Sequence, residues 1–230
     1  MTTYLNVARY HLVQRVDYLV LPWAILVLVF GADAAILALL PTGHRANLYV
    51  GGLGALFIVG FVLGLLSVAR SLPFGLALGI SRRSYYLGTA VLAVALAAVA
   101  GVVVTVGQAL ERATGGWGLR MEFFRVPYIL DGPWYLTWLT AFVVFTLLFV
   151  YGMWFGLVYR RWNLVGLVAF IAAQITVMLV GAAAATWAHG WQDIGHFFTA
   201  LSAAGLTGLL AALTAVLLAG GFTTMRRLTV

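Results

Sequence analysis

Along the chain, apolar residues fall into runs of about twenty, separated by short clusters of Arg, Pro, Gly and aromatic residues. Twenty residues of α-helix rise about 30 Å, the thickness of a bilayer's hydrocarbon core. Six such runs are present, over about residues 18–40, 48–68, 86–108, 133–158, 164–187 and 199–221. The first stops at Pro41-Thr42-Gly43 and the second at Arg70. The fold class this predicts is an all-α membrane protein, with residues 1–230 forming a single transmembrane domain of six spans.

The segments between the runs carry patterns of their own. In residues 3–16, Tyr4, Val7, Ala8, His11, Leu12 and Val16 fall near one helical face, while Asn6, Arg9 and Gln14 fall elsewhere. That is an N-terminal helix lying in the membrane interface, or else a basic tail. Between the second and third runs, Pro73 suits the first turn of a short helix. Phe74, Ala77 and Leu78 share one face of it, and Gly79 caps its end. An exposed apolar helix of this kind docks a protein partner or lies flat on headgroups. Residues 109–132 mix charges with Trp117, Phe123, Phe124 and Tyr128, and residues 188–198 are amphipathic enough to dip back into the membrane. No internal repeat or low-complexity linker marks a second domain.

Composition agrees with the pattern. Of 230 residues, 64% are hydrophobic and 8% charged, and mean hydropathy is +1.06, whereas soluble domains carry about 25% charged residues. All thirteen basic residues are Arg, against six acids, for a net charge of +7. They sit at the ends of apolar runs and form no stripe with interleaved aromatics, so topology explains them and nucleic-acid binding does not. Arg without Lys reads as the codon bias of a GC-rich genome. With six spans, Arg9, Arg15, Arg70, Arg82, Arg83, Arg160, Arg161, Arg226 and Arg227 share one side. Arg45, Arg112, Arg120 and Arg125 lie on the other, among Glu111, Glu122, Asp131 and Asp193. The arginine bias predicts that both termini are cytosolic. Trp134, Tyr135 and Trp138 at one end of the fourth run, and Tyr151, Trp154, Tyr159 and Trp162 at the other, read as aromatic belts rather than a ligand cage.

Several chemistries are excluded. A chain without Cys has no disulfide, thiolate metal site or cysteine nucleophile. A chain without Lys lacks the residue that a phosphate-binding loop brings to ATP, so it is expected to have no ATPase site of its own. His11, His44, His189 and His196 all fall outside the middles of spans, so no metal or haem site is expected. Arg9, Arg15 and Asp17 before the first run, with no small-residue cleavage pattern, argue against a removable signal peptide. Asp33 is the one acid within an apolar run, either a polar contact in a cavity or a shallow carboxylate bonded to a neighbour. Gln174, near the middle of the fifth run with Thr176 and Met178 close by, either bonds a neighbouring helix or lines a path. Gly60 and Gly64 have the small-xxx-small spacing that lets helices approach closely.

The stretch Phe74-Gly75-Leu76-Ala77-Leu78-Gly79-Ile80-Ser81-Arg82-Arg83-Ser84-Tyr85-Tyr86-Leu87-Gly88-Thr89 resembles the corresponding segment of ABC transporter permease subunits of the type-two export class, especially small actinobacterial ones. The ending Gly220-Gly221-Phe222-Thr223-Thr224-Met225-Arg226-Arg227 is similar to theirs as well. The resemblance implies a bacterial inner-membrane permease that pairs with a second half, an identical chain, and docks two copies of a separate ATPase. ATP and Mg would be held by that ATPase, and no cofactor by this chain. The coupling helix would present Phe74, Ala77, Leu78, Gly79, Ser81, Arg82 and Arg83 to it. The second and fifth spans would line the path of an amphipathic cargo (a drug, peptide antibiotic or lipid), giving Gln174, Met178 and Asp33 roles there. Segment 109–132 is longer than the family leads one to expect. The rival readings are an autonomous ion-coupled transporter, a membrane-embedded enzyme or redox subunit, and a scaffold.

Overall fold

In the computed structural model, residues 16–39 and 48–226 are described. The interfacial helix expected over residues 3–16, with His11, Arg9 and Arg15, lies outside the described residues except at its last position, and so do His44, Arg45 and Arg227.

A π turn at Val16–Val20 runs into α1 (Leu21–Leu39). The short strand β1 (Leu48–Tyr49) and a 3-10 turn at Gly51–Leu53 precede α2 (Gly54–Leu66). A second π turn, Ser67–Ser71, joins α2 directly to α3 (Leu72–Ala77). Then come α4 (Arg82–Ala113), β2 (Met121–Glu122), α5 (Trp134–Trp187), α6 (Trp191–Ala200) and α7 (Ala203–Arg226). The chain is predominantly helical, and five stretches are long and apolar enough to cross a membrane: Tyr18–Leu39, Gly51–Ala77, Arg82–Ala113, Trp134–Trp187 and Ala203–Met225. The two strands pair in parallel, Leu48 with Met121 and Tyr49 with Glu122, a contact that no alternation in the sequence predicts.

The fourth and fifth runs join without a loop into the 54-residue α5, broken at Asn163 (φ 55°, ψ −155°). This break reverses the chain. The Tyr151 hydroxyl donates to Gln174 Oε1 at 2.5 Å, and the Phe155 and Phe170 rings meet edge-on 5.3 Å apart. In an unbroken helix Tyr151 and Gln174 would be about 34 Å apart. Residues 134–162 and 164–187 are therefore the antiparallel arms of a helical hairpin, folded about one residue in a backbone region that favours glycine.

Helices that follow one another along the chain alternate in direction. Gly60 faces Phe145 and Gly64 faces Phe149, while Gly152 faces Phe61 and Gly156 faces Leu65, so α2 and the first arm of α5 run parallel. Tyr86, at the start of α4, and Trp154, late in the first arm, bond the adjacent Leu218 and Leu217 carbonyls of α7. At the other end Gln108 of α4 meets Thr137, and Thr140 meets Thr207. So α4 is antiparallel to the first arm and α7 parallel to it. Asp33 and Val29 abut Gly52, which sets α1 antiparallel to α2.

Apolar helices in lipid gain little from burial against each other, so close backbone contact and hydrogen bonds must hold them. Both are present. A Cβ at Gly64 would lie 1.9 Å from the Phe149 carbonyl oxygen, and one at Gly152 would lie 2.0 Å from that of Phe61. The expected Gly60/Gly64 approach is thus one half of a two-sided glycine seam. Gln108, almost fully buried, donates to the Leu130 carbonyl and accepts from Thr137 at 3.0 Å. Three rings assigned to aromatic belts serve the interior instead: Trp138 covers Gly101, Tyr151 bonds Gln174, and Trp154 donates to the Leu217 carbonyl at 2.9 Å. Trp134, Tyr135, Tyr159 and Trp162 are exposed.

Gly64→Ala and Gly152→Ala are expected to lower stability by about 1–3 kcal/mol, since the added methyl must displace backbone. Gly181→Ala and Gly208→Ala, where nothing lies within 4 Å, should be neutral. Thermal unfolding in one detergent, with all four variants compared, checks this; equal effects would remove the seam's special role.

Candidate functional site

The two ends of the helix bundle differ chemically. One end gathers α3, the start of α4, the α5 hairpin turn and the end of α7. Here α3 is no separate surface helix, because α2 continues into it through the Ser67–Ser71 π turn. Ser67 Oγ donates to the Gly64 carbonyl at 2.7 Å, and the Tyr85 hydroxyl donates to the Ser67 carbonyl at 2.5 Å. Leu72 and Gly75 are buried, Gly75 against the Tyr85 ring, where a Cβ would come within 2.9 Å. The opposite face carries Phe74 (57% exposed), Leu78 (60% exposed) and Ala77, also exposed. The helix ends as its Pro and Gly predict: Pro73 is in the first turn, and Gly79 takes φ 79°. The Gly79 and Ile80 N–H groups return to the carbonyls of Leu76 and Gly75. Ser81 is used locally, accepting the Ser84 N–H at 3.1 Å as the cap of α4. Arg83 and Arg70 are exposed, and Arg82 half-buried.

Charge separates the ends sharply. Arg70, Arg82, Arg83, Arg160 and Arg161 all lie at the α3 end, and none forms an ion pair with a described residue. Asp17, in the turn before α1, is at this same end, whereas Asp33, Glu111, Glu122, Asp131 and Asp193 lie toward the opposite one. Their neighbours place them: Asp33 beside Gly52, Glu111 beside Phe123, Glu122 in the β1–β2 pair, and Asp131 beside Arg125. Asp193 is in α6, whose C-terminal Phe198 and Leu201 carbonyls accept from the Tyr128 hydroxyl.

At that opposite end, the long segment after α4 is ordered by one carboxylate. Glu111 is 3% exposed. Its Oε2 accepts from the Phe123 and Phe124 N–H groups at 2.8 and 2.9 Å and from the Trp117 indole at 3.3 Å, and its Oε1 accepts from the Arg125 N–H at 3.2 Å. Gly115, Gly116, Trp117 and Gly118 all have positive φ, so this left-handed turn needs its glycines. Phe30, Trp117, Phe123 and Phe124 pack as a cluster of edge-to-face and tilted rings against the middle of α1. Outside it, Arg125 and Arg112 flank Asp131 at 2.6 and 3.3 Å. The Arg125 guanidinium hydrogen bond holds the Asp131 carboxyl below the usual carboxylate range. This pairing therefore contributes at neutral pH and is lost as pH falls through the depressed value; exposure keeps the contribution small.

Asp33 sits at the edge of that cluster. Its Oδ2 is buried without a hydrogen-bond partner, the one such side-chain atom among the described residues. A Cβ at Gly52 would lie 2.1 Å from it. Gln174 is engaged between the hairpin arms, whereas Met178 is 75% exposed on the outer face of the second arm. The structure thus brings neither of these residues to Asp33. α6 begins at Trp191, which leaves His189 in the preceding turn, so it shares no helical face with His196. No group of three His, Asp or Glu side chains among the described residues is placed to hold a metal ion.

No protein-family model, curated protein or solved structure matches this chain. The permease resemblance therefore rests on residues 74–89 and 220–227, and the fold brings these two stretches together. Tyr86 donates to the Leu218 carbonyl at 2.8 Å, its hydroxyl would meet a Cβ at Gly221, and its ring lies 5.9 Å from that of Phe222. Gly220 meets the Trp154 ring. No pattern in the sequence signals Glu111, because three of its four donors are backbone N–H groups.

Glu111→Ala should leave three backbone N–H groups and the Trp117 indole N–H unpaired, at about 1–3 kcal/mol for each one that stays buried. Amide exchange at Phe123 and Phe124 is expected to accelerate at least tenfold while α2 amides stay unchanged. Equal protection in the variant would show that the ring cluster alone orders the segment.

Proposed function

We propose that the chain is the membrane-spanning subunit of an ATP-driven exporter in a bacterial inner membrane. In this reading α1, α2 with α3, α4, the two arms of α5, and α7 make six crossings. The alternating helix directions support that count, because successive crossings must reverse. The arginine-rich end faces the cytosol, with both termini on that side. The observation that carries the reading is the exposed apolar face of Phe74, Ala77 and Leu78. It stands on a helix continuous with α2 and is braced by Tyr85 from behind. A partner docking there pushes on α2 itself. The partner is a separate ATPase, two copies serving two identical permease halves and holding the ATP and Mg. Gly79 sets the end of α3 and Ser81 the start of α4, so both position the face, while Arg82 and Arg83 supply charge at its edge. The mostly apolar helices suit an amphipathic cargo.

The test is affinity capture of the tagged protein in mild detergent, with mass spectrometry of what copurifies. An ATPase at one copy per chain is expected, and it should be lost from Phe74→Asp or Leu78→Asp chains that elute as folded protein. Capture without any ATPase, under conditions that keep membrane complexes intact, would overturn the assignment.

A second reading, an autonomous ion-coupled transporter, draws on the unpartnered Asp33 oxygen. It predicts uptake or efflux in ATPase-free vesicles that follows an imposed proton gradient and disappears in Asp33→Asn. Gradient-independent behaviour of both proteins would eliminate it.

A further inference from the structure

The hairpin of α5 encloses an apolar groove beside its turn, of about 410 Å³, lined by Val158, Trp162, Val165, Gly166, Ala169 and Phe170. Asn163 creates it: the single-residue reversal keeps the arms together at Tyr151–Gln174 and Phe155–Phe170. Between those contacts and the turn, Gly166 lets the arms approach, since a Cβ there would lie 2.0 Å from that of Trp162, and the small Ala169 leaves the space beside it open. From the turn to Phe170 the groove reaches about 10 Å along the helix. At its rim the Arg161 guanidinium stands over the Trp162 indole, 4.7 Å from the ring centroid, with Arg160 next to it and exposed. Neither arginine has an ion-pair partner among the described side chains.

We infer that this groove binds an anionic phospholipid of the cytosolic leaflet, with an acyl chain between the arms and the phosphate on Arg160 and Arg161. Three features select this ligand. The groove is apolar along its length and cationic only at its rim, which is the polarity of a phospholipid rather than of a soluble anion. Basic pockets between membrane helices on the cytosolic side are suited to acidic headgroups. An exposed arginine pair that no described carboxylate engages can take its counter-ion from that leaflet, and a planar guanidinium can bond two phosphate oxygens. The lipid would wedge the arms at the turn and set the angle at which the second arm leaves the bundle. This inference rests on the membrane orientation above, but not on ATPase docking.

The test is native mass spectrometry of the full chain, delipidated in neutral detergent. It is titrated with phosphatidylglycerol, with phosphatidylcholine of identical acyl chains, and with glycerol phosphate. Phosphatidylglycerol is expected to be retained at least tenfold better than either of the others. Arg160→Gln/Arg161→Gln should lose that preference, and Ala169→Phe, which fills the groove, should lose retention. Arg160→Lys/Arg161→Lys should keep most of it, and Arg82→Gln/Arg83→Gln, with equal charge removed elsewhere at this end, should keep all of it. Equal retention of phosphatidylcholine, equal binding of glycerol phosphate, or unchanged retention in Arg160→Gln/Arg161→Gln would overturn the proposal. So would a lipid-free dimer that Ala169→Phe converts to monomer, because a second copy would then occupy the groove.

Discussion

Backbone contact between α2 and the first arm of α5 is the constraint on which the remaining packing depends. Leu and Val are as comfortable in acyl chains as against each other, so an apolar sequence in lipid gains little by gathering its helices. At this crossing the helices touch at Gly64 against the Phe149 carbonyl and at Gly152 against the Phe61 carbonyl, with no side chain between them. Such an approach multiplies dispersion contacts over both helices. It also fixes their rotation, because only the glycine faces can meet. With that pair set, Trp154 and Thr140 of the first arm are aimed at α7, and Thr137 and Trp138 at α4.

Side-chain hydrogen bonds then act as pins at the two ends. Tyr85, Tyr86 and Trp154 all reach backbone carbonyls at the arginine-rich end. At the other end Glu111 collects the N–H groups of a loop that no regular structure would satisfy. Each device places a polar group where a hydrogen bond is available and water scarce, so loss of one partner costs more than the bond itself contributes. The buried oxygen of Asp33 breaks this rule at one point, which makes it conspicuous.

What the sequence revealed follows the range of each signal. Runs of twenty apolar residues and the Arg bias are local and additive, so the spanning stretches were legible, as were Pro73, Gly79 and the Gly60/Gly64 spacing. Pairwise facts were not. Gly152 and Gly156 have the same spacing as Gly60 and Gly64, but nothing in either segment says that they face one another. Tyr151 lies where a belt residue belongs, yet it bonds Gln174 across a turn made by one asparagine. The segment 67–71 reads as the end of a span. The π turn there absorbs an extra residue without breaking the helix, so α2 and α3 become one lever. The contact of Tyr86 with Gly221 and Phe222 joins stretches more than a hundred residues apart, and no local pattern encodes it.

That lever gives the proposed docking face its mechanical meaning. A partner bound to Phe74 and Leu78 would act on the end of a helix whose middle is clamped to α5 through glycines. Compact seams of this kind have few intermediate arrangements, since a shift of even a fraction of an ångström brings a carbonyl into contact with a Cα. Motion applied at α3 would therefore carry α2 and the first arm as one body instead of bending them. The π turn at Ser67–Ser71 is the one place along this line where the helical ladder is already loosened, and Tyr85 spans it by bonding the Ser67 carbonyl. Any give between the docking face and the seam would be concentrated there. In contrast, the second arm of α5 is held at Phe170 and Gln174 and is otherwise largely exposed, so its outer half is the part freest to change angle when the rigid pair moves. A lipid or a second copy held against that arm would set where it comes to rest.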